Sequence, residues 1–119
     1  MTSPLDQIRA TTLMLPETEA RDTDGGSTFF VGGTPFAQVR EDGDGDGRVV
    51  IRVRTADADE QTMLIEADPA LYARPADADA SDWVSMTVAA DVDWTLVEDR
   101  IAHSWELVAP QRLLEVGGR

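Results

Sequence analysis

The stretch "STFFVGGTPFAQVR", residues 27–40, determines how the rest of the chain is interpreted. Its first part, STFFV, is rich in β-branched and aromatic residues and stops at Gly32-Gly33, a dipeptide typical of tight turns. PFAQVR follows directly as a second strand. The stretch therefore predicts two neighbouring antiparallel strands.

A third strand, RVVIRVR at residues 48–54, follows the acidic loop EDGDGDG at residues 41–47. This loop matches the first half of an EF-hand calcium loop in its alternate aspartates and its glycine: Asp42, Asp44, Asp46 and Gly47. An EF-hand needs a bidentate Glu at the twelfth position, which is Val53 here, and helices on both sides. We therefore expect a plain hairpin loop without a metal site, with weak, adventitious cation binding by the three aspartates as the alternative.

A first helix is predicted before the strands. Ser3 can cap it, Pro4 suits its first position, and Pro16 ends it. One face carries its larger or apolar side chains, namely Leu5, Ile8, Thr12 and Leu15. The next stretch, PETEARDTDGG at residues 16–26, is interpreted as a polar, exposed connection.

Two more helices and two more strands are predicted after the third strand. The second helix begins at a Thr55 cap and ends at about Ala67, with a short apolar stripe at Met63, Leu64 and Ala67. A short strand lies around residues 71–74, and the alternating DWVSMTV is a longer one. The last helix has the clearest apolar face, formed by Trp94, Val97, Ile101, Trp105 and Val108.

These elements predict an α+β fold with a single domain over residues 1–119. We expect a two-layer sandwich in which helices cover one face of an antiparallel sheet of about five strands, in the order α-β-β-β-α-β-β-α. Trp94 and Trp105 should pack against the sheet, and His103 should lie on the solvent side of the last helix.

The composition is strongly acidic, with 23 Asp and Glu against 10 basic residues, a net charge of −13 and no Cys. All ten basic residues are arginines. An acidic surface repels phosphate backbones. The absence of Cys excludes disulfide bonds and thiolate chemistry. The apolar runs are too short for a membrane span and the N-terminus does not look like a signal peptide, so we expect a cytoplasmic protein without membrane partners.

As a set, four segments resemble the MmcQ/YjbR family: LMLP, TFFVGGTPFAQV, DWVSMTV and IAHSWELV. The resemblance covers roughly residues 5–114 and implies a two-layer fold similar to frataxin-like and secretion-chaperone-like domains. Its members are often labelled DNA-binding proteins, and their biochemical role is largely unknown. The chain departs from the family just before Trp83, where ADADASD replaces a polar and basic stretch.

No catalytic constellation is predicted. His103, the only histidine, adjoins Ser104 on the last helix, and neighbouring helical residues point in different directions, so the two cannot form a hydrolase dyad. The sequence also has no phosphate-binding glycine loop and no paired metal-ligating histidines. We expect a protein that is not an enzyme and needs no cofactor.

The candidate binding residues lie on the face of the sheet that the helices leave open. Within RVVIRVR, one face carries Val49, Ile51 and Val53. The other face carries Arg48, Arg52 and Arg54. Trp83 should project on the same side as these arginines. The predicted site residues are Arg40, Arg48, Arg52, Arg54 and Trp83.

These residues leave several functions open. The preferred one is a binding module for an acidic peptide, a small anion or a second copy of the chain. The first alternative is a DNA-binding protein, as the resemblance implies, and the second is an acidic, frataxin-like cation binder. The arginines could instead pair with surface carboxylates, with Trp83 lying against their stems.

Overall fold

Three helices and six antiparallel strands make up the described part of the chain, which comprises residues 4–23, 26–41, 49–75, 82–89 and 91–111 of the computed structural model. The elements are α1 (Pro4–Leu13), β1 (Thr18–Thr23), β2 (Gly26–Val31), β3 (Thr34–Glu41), β4 (Val49–Arg54), α2 (Ala58–Ala67), β5 (Tyr72–Ala73), β6 (Trp83–Val88) and α3 (Trp94–Val108). The strands form one sheet in the order β1-β2-β3-β4-β6-β5. The predicted α+β class is confirmed, with one strand more than expected.

The β2–β3 hairpin turns at Gly32 and Gly33, as predicted. Both glycines have positive φ angles, 60° and 81°, which side chains with a Cβ rarely adopt. Further from the turn, the pairing shifts by one residue between Phe29 and Phe30. Phe36 and Ala37 are consequently both buried, although neighbouring strand residues normally point to opposite faces.

Alternate residues of the strands form the sheet side of the core. Their side chains pack with one stripe from α1 and another from α3. The fully buried members with large side chains are Ile8, Phe29, Val31, Phe36, Ile51, Val53, Val84, Met86, Val88, Val97 and Ile101. The opposite face of the sheet carries the alternate, outward residues.

Residues 18–23 form β1, an edge strand, so the prediction of a polar, exposed connection was wrong. β1 contains no alternation of large apolar residues because only part of its inner side faces the core. That side is held to α1 by polar contacts instead: Arg9 Nη1 donates to Asp22 Oδ1 and to Ser27 Oγ, both at 2.7 Å. The hydrogen bonds from Arg9 and Ser27 lower the pKa of the Asp22 carboxyl below its usual value.

α2 begins two residues later than predicted, and the predicted apolar stripe is buried only in part. Asp57, not Thr55, is the N-cap, and its side chain accepts from Glu60 N. Gln61 is buried and donates to Trp83 O at 2.6 Å, whereas Met63 is 60% exposed. Leu64 of the predicted stripe packs against the core, but the buried residue of α2 is a glutamine, which the stripe did not indicate.

α3 is the main helix of the core. It is capped by Asp93 and buries Val97, Ile101 and Trp105, as its spacing predicted. Trp94 is partly buried against the same cluster. The indole N–H of Trp105 donates to the carbonyl of Pro16, just after α1.

The hydroxyl of Ser104 lies between β3 and β4. The pairing of Ala37 with Val53 is the last of their ladder, and the same register would place Phe36 opposite Arg54 next. Instead, Ser104 Oγ accepts from Arg54 N at 2.8 Å and donates to the carbonyl oxygen of Phe36. A side chain of α3 therefore replaces a direct contact between the two strands.

No helix in the described ranges is long and apolar enough to cross a membrane. The predicted loop at residues 42–47 and the predicted last turn at residues 112–116 lie outside the described ranges.

We expect Trp105→Ala to lower the free energy of unfolding by about 3–5 kcal/mol, since it removes a buried indole and leaves a cavity. Urea denaturation measures this change. Leu107→Ala is the control, because Leu107 lies on the same helix and is 40% exposed. Equal losses in the two variants would contradict the assignment of the buried face of α3.

Ser104→Ala should cost about 1–3 kcal/mol, because it leaves a backbone donor and acceptor of the sheet without their hydrogen-bond partner. Ser85→Ala, on the outward face of β6, removes the same atom and should change stability by less than about 0.5 kcal/mol. Chemical denaturation of both variants under the same conditions provides the test. A Ser104→Ala protein as stable as the wild type would show that the bridge contributes nothing.

Candidate functional site

The candidate site is the outward face of the sheet, which we call the open face. Its residues alternate with those of the core along each long strand, as the burial of β4 and β6 shows. The described members are Glu19, Arg21, Thr28, Phe30, Gln38, Arg40, Val50, Arg52, Arg54, Ala73, Trp83, Ser85 and Thr87. Most of them are polar.

Cross-strand pairing arranges part of the open face in one row that crosses the whole sheet. Consecutive neighbours in this central row are Arg21, Thr28, Gln38, Arg52, Ser85 and Ala73, one residue from each strand. Neighbouring strands lie about 4.8 Å apart, so these side chains are adjacent. The central row contains two arginines and no carboxylate, although acidic residues outnumber basic ones by 23 to 10 in the chain.

Arg54 and Trp83 form a fixed corner beside the central row. They are cross-strand partners, and the Arg54 guanidinium carbon lies 4.6 Å from the centroid of the Trp83 ring. Arg54 Nε donates to the carbonyl of Pro35, and its Nη1 pairs with Asp82, both at 3.0 Å. These three contacts immobilise the guanidinium, and the carboxylate offsets its charge.

A second stack of arginine on an aromatic ring lies near the β1 edge. The Arg21 guanidinium carbon is 4.7 Å from the centroid of the Phe30 ring. Phe30 is the cross-strand partner of Glu19, so Arg21 reaches it diagonally. The open face therefore has a stacked arginine near each side, with the hydroxyl, amide and guanidinium groups of the central row between them.

The structure brings three of the five predicted site residues together. Arg52 and Arg54 are two residues apart on β4 and therefore share a face, and Trp83 lies opposite Arg54 on β6. Arg40 is exposed and lies at the far end of the same face, opposite Val50. Arg48 lies outside the described residues. Arg54 pairs with the carboxylate of Asp82, as the alternative interpretation of the arginines predicted.

Four residues of the open face were missed: Arg21, Thr28, Phe30 and Gln38. Arg21 was missed because β1 was interpreted as a connection. Gln38 was missed because the bulge at Phe36 changes which residues of β3 point outward, whereas Thr28 and Phe30 lie on β2, whose alternation is regular. Clear alternation in "STFFV" was the one signal that could have identified Thr28 and Phe30.

Ser104 and His103, the candidate nucleophile and base, contact structural partners instead of each other. Ser104 is buried and bonded to the backbone on both sides. His103 Nε2 lies 3.4 Å from Glu60 Oε1 and its side chain is one-third exposed, so its predicted position toward solvent holds only in part. Glu60 also accepts from the backbone N–H of Ala56 and lies 4.0 Å from Arg100. Within the described ranges, no group of three or more His, Cys, Asp or Glu is placed to hold a metal ion.

Comparison with solved structures confirms the architecture. The chain is similar to the Deinococcus radiodurans protein DR2400, whose crystal structure contains a DUF419 domain. The TM-score is 0.76 at 20% sequence identity, and the match covers 98% of this chain and 89% of the other. At that identity the likeness shows a shared fold.

No curated protein matches the chain significantly. The model of the YjbR family matches residues 13–107. This range includes every strand and the whole of α2, together with nearly all of α3. Because the match spans most of the sequence, the chain belongs to the YjbR family.

Proposed function

We propose that this protein is a non-enzymatic binding module that holds an anionic group of a partner on its open face, at Arg52. The observation that carries the proposal is the central row: in a chain of net charge −13, it crosses the sheet without a carboxylate. Gln38 and Ser85 lie on either side of Arg52 as its cross-strand partners. An arginine between an amide and a hydroxyl offers several hydrogen-bond donors to one anion.

The chemistry of these groups suits a carboxylate or a phosphate. A guanidinium can donate two parallel hydrogen bonds to either group, and such charge-assisted bonds are stronger than neutral ones. Gln38 and Ser85 belong to the two strands beside that of Arg52. Neighbouring strands lie about 4.8 Å apart, so the three side chains can contact the same ligand.

The Arg54–Trp83 corner supports binding by limiting the freedom of the site. Arg54 is held by Pro35, Asp82 and the indole, so little side-chain entropy remains to be lost there when a partner binds. Arg54, which pairs with Asp82, shapes the border of the site, and we assign recognition of the anion to the guanidinium of Arg52.

An acidic peptide or a small anion fits this site better than a nucleic acid. The favourable row is local, whereas the net charge of −13 opposes a polyanion over longer distances. Screening limits that repulsion to about 8 Å at physiological salt, but a duplex would still approach acidic surface outside the row.

We propose a non-enzymatic role because the two side chains that could serve as nucleophile and base, Ser104 and His103, each contact another partner. Ser104 donates its proton to a backbone carbonyl inside the core. His103, the next residue, contacts Glu60 of α2. The two groups therefore have separate structural partners.

Arg52→Glu should weaken the binding of a labelled decaglutamate peptide by about tenfold or more, since hydrogen bonds to charged groups contribute about 1.5–3 kcal/mol. Fluorescence anisotropy at about 0.15 M salt measures this, beside random single-stranded and duplex DNA of similar length. We expect weak or undetectable binding to duplex DNA.

Arg74→Glu is the matched control. It changes the charge equally, but Arg74 contacts Gln61 and Thr62 near α2, away from the open face. It should change peptide affinity by less than about threefold, since its charge is screened by salt. Equal losses in both variants would indicate a general charge effect, and submicromolar binding to duplex DNA abolished by Arg52→Glu would favour the DNA-binding alternative.

A further inference from the structure

Among the described strands, β1 and β5 lie at the two edges of the sheet, and the edge of β1 is the longer. β1 pairs with β2 over six residues, whereas β5, at the other edge, has only two. Alternate residues of an edge strand direct their backbone N–H and C=O groups away from the sheet, where they can pair with another strand. Edge strands commonly carry charges that prevent such pairing, and β1 contains Glu19, Arg21 and Asp22.

The geometry of an antiparallel ladder restricts how two copies of β1 could pair. Residues directly opposite each other must both direct their backbone groups toward the partner strand, or both away from it. In a symmetric pair of identical strands, this places the two-fold axis at a residue rather than between residues. The axis can therefore pass through any one residue of β1.

Like charges face each other in most of these registers. An axis at Glu19, Arg21 or Asp22 puts that charge opposite its own copy. An axis at Thr18 puts Glu19 opposite Glu17. Like charges directly opposite each other destabilise a strand pair, so these four registers are disfavoured.

An axis at Ala20 gives a different result. It places Glu19 opposite Arg21 of the second copy, and Arg21 opposite Glu19, so two opposite-charge pairs form on the open face. The small alanine side chains meet at the axis. Among axes at residues 18–22, this register alone avoids facing like charges.

The inner side of the same register is also complementary. It places Thr18 opposite Asp22 of the second copy. The Thr18 hydroxyl is buried without a hydrogen-bond partner in the described part of the chain, and the Asp22 side chain is 70% exposed. Pairing the two groups requires the Thr18 hydroxyl to turn about χ1 toward that carboxylate, whose Oδ1 accepts from Arg9 and Ser27.

We propose that two copies of this chain pair through β1, with the two-fold axis at Ala20. The pairing joins two six-stranded sheets into one continuous sheet. Because the axis is perpendicular to the sheet, both open faces lie on the same side. The proposal does not depend on which ligand the open face binds.

The dimer should be weak, because one strand pair buries less than the roughly 1,200 Å² of a standard interface. Sedimentation velocity over about 1 µM to 1 mM at about 0.15 M salt, where the net repulsion between copies is screened, measures it. Glu19→Arg should weaken dimerisation by about tenfold or more, since two attractive pairs become repulsive. Arg21→Glu should do the same.

Mixing the two variants provides the decisive test. One strand then carries Arg at residues 19 and 21, and the other carries Glu at both, so the heterodimer regains two opposite-charge pairs. We expect each variant to be folded and monomeric alone, by circular dichroism and sedimentation, and the mixture to dimerise. The double variant Glu19→Arg/Arg21→Glu should dimerise like the wild type.

Glu98→Arg, an exposed charge reversal on α3, is the control and should leave dimerisation unchanged. A wild-type protein that is monomeric at 1 mM would overturn the proposal. So would variants that fail to associate when mixed, since the register requires that pair to be complementary.

Discussion

Ser104 joins the helical layer to the backbone of the sheet at the position where the β3–β4 ladder ends. Its hydroxyl accepts from Arg54 N and donates to the carbonyl of Phe36, the two groups that the register would otherwise pair directly. This contact accommodates the bulge at Phe36 without leaving buried backbone groups unsatisfied. It also fixes the end of β4, from which the Arg54 side chain reaches Pro35, Asp82 and Trp83 on the opposite face. The geometry of the open face therefore depends on a residue in the core.

Charge is distributed unevenly over the fold. Basic side chains are few, and four of those described lie on the open face: Arg21, Arg40, Arg52 and Arg54. Two of these stack on aromatic rings, which holds them near the sheet although the chain as a whole is acidic. The helices carry contacts of another kind, such as Glu60, whose carboxylate caps α2 and lies near His103 and Arg100. Four of the seven arginines in the described ranges lie on the open face.

Sequence periodicity was sufficient for the elements whose burial follows one apolar stripe. The last helix, the Gly32-Gly33 turn and the alternation of β4 and β6 were all predicted correctly. β1 was missed because Arg9, Asp22 and Ser27 anchor it by polar contacts, which leave no hydrophobic pattern. The buried face of α2 was predicted only in part for a related reason, since Gln61 occupies the position that an apolar residue would normally mark. Three of the predicted site residues come together because Arg52, Arg54 and Trp83 belong to adjacent strands, but the central row depends on a register that no local pattern specifies.

The contrast between a local cationic row and an acidic surface determines how such a face can act in binding. Long-range electrostatics does not steer an anion toward this protein, because the net charge of −13 repels it over the range that salt leaves unscreened, about one Debye length. Attraction begins only when the anion is close enough to contact Arg52 and its neighbours, where desolvation strengthens charge-assisted hydrogen bonds. Added salt screens the distant repulsion more than it screens these short contacts. An anion bound on the open face as proposed should therefore lose less affinity with rising salt than one bound by a basic protein, whose attraction acts at long range.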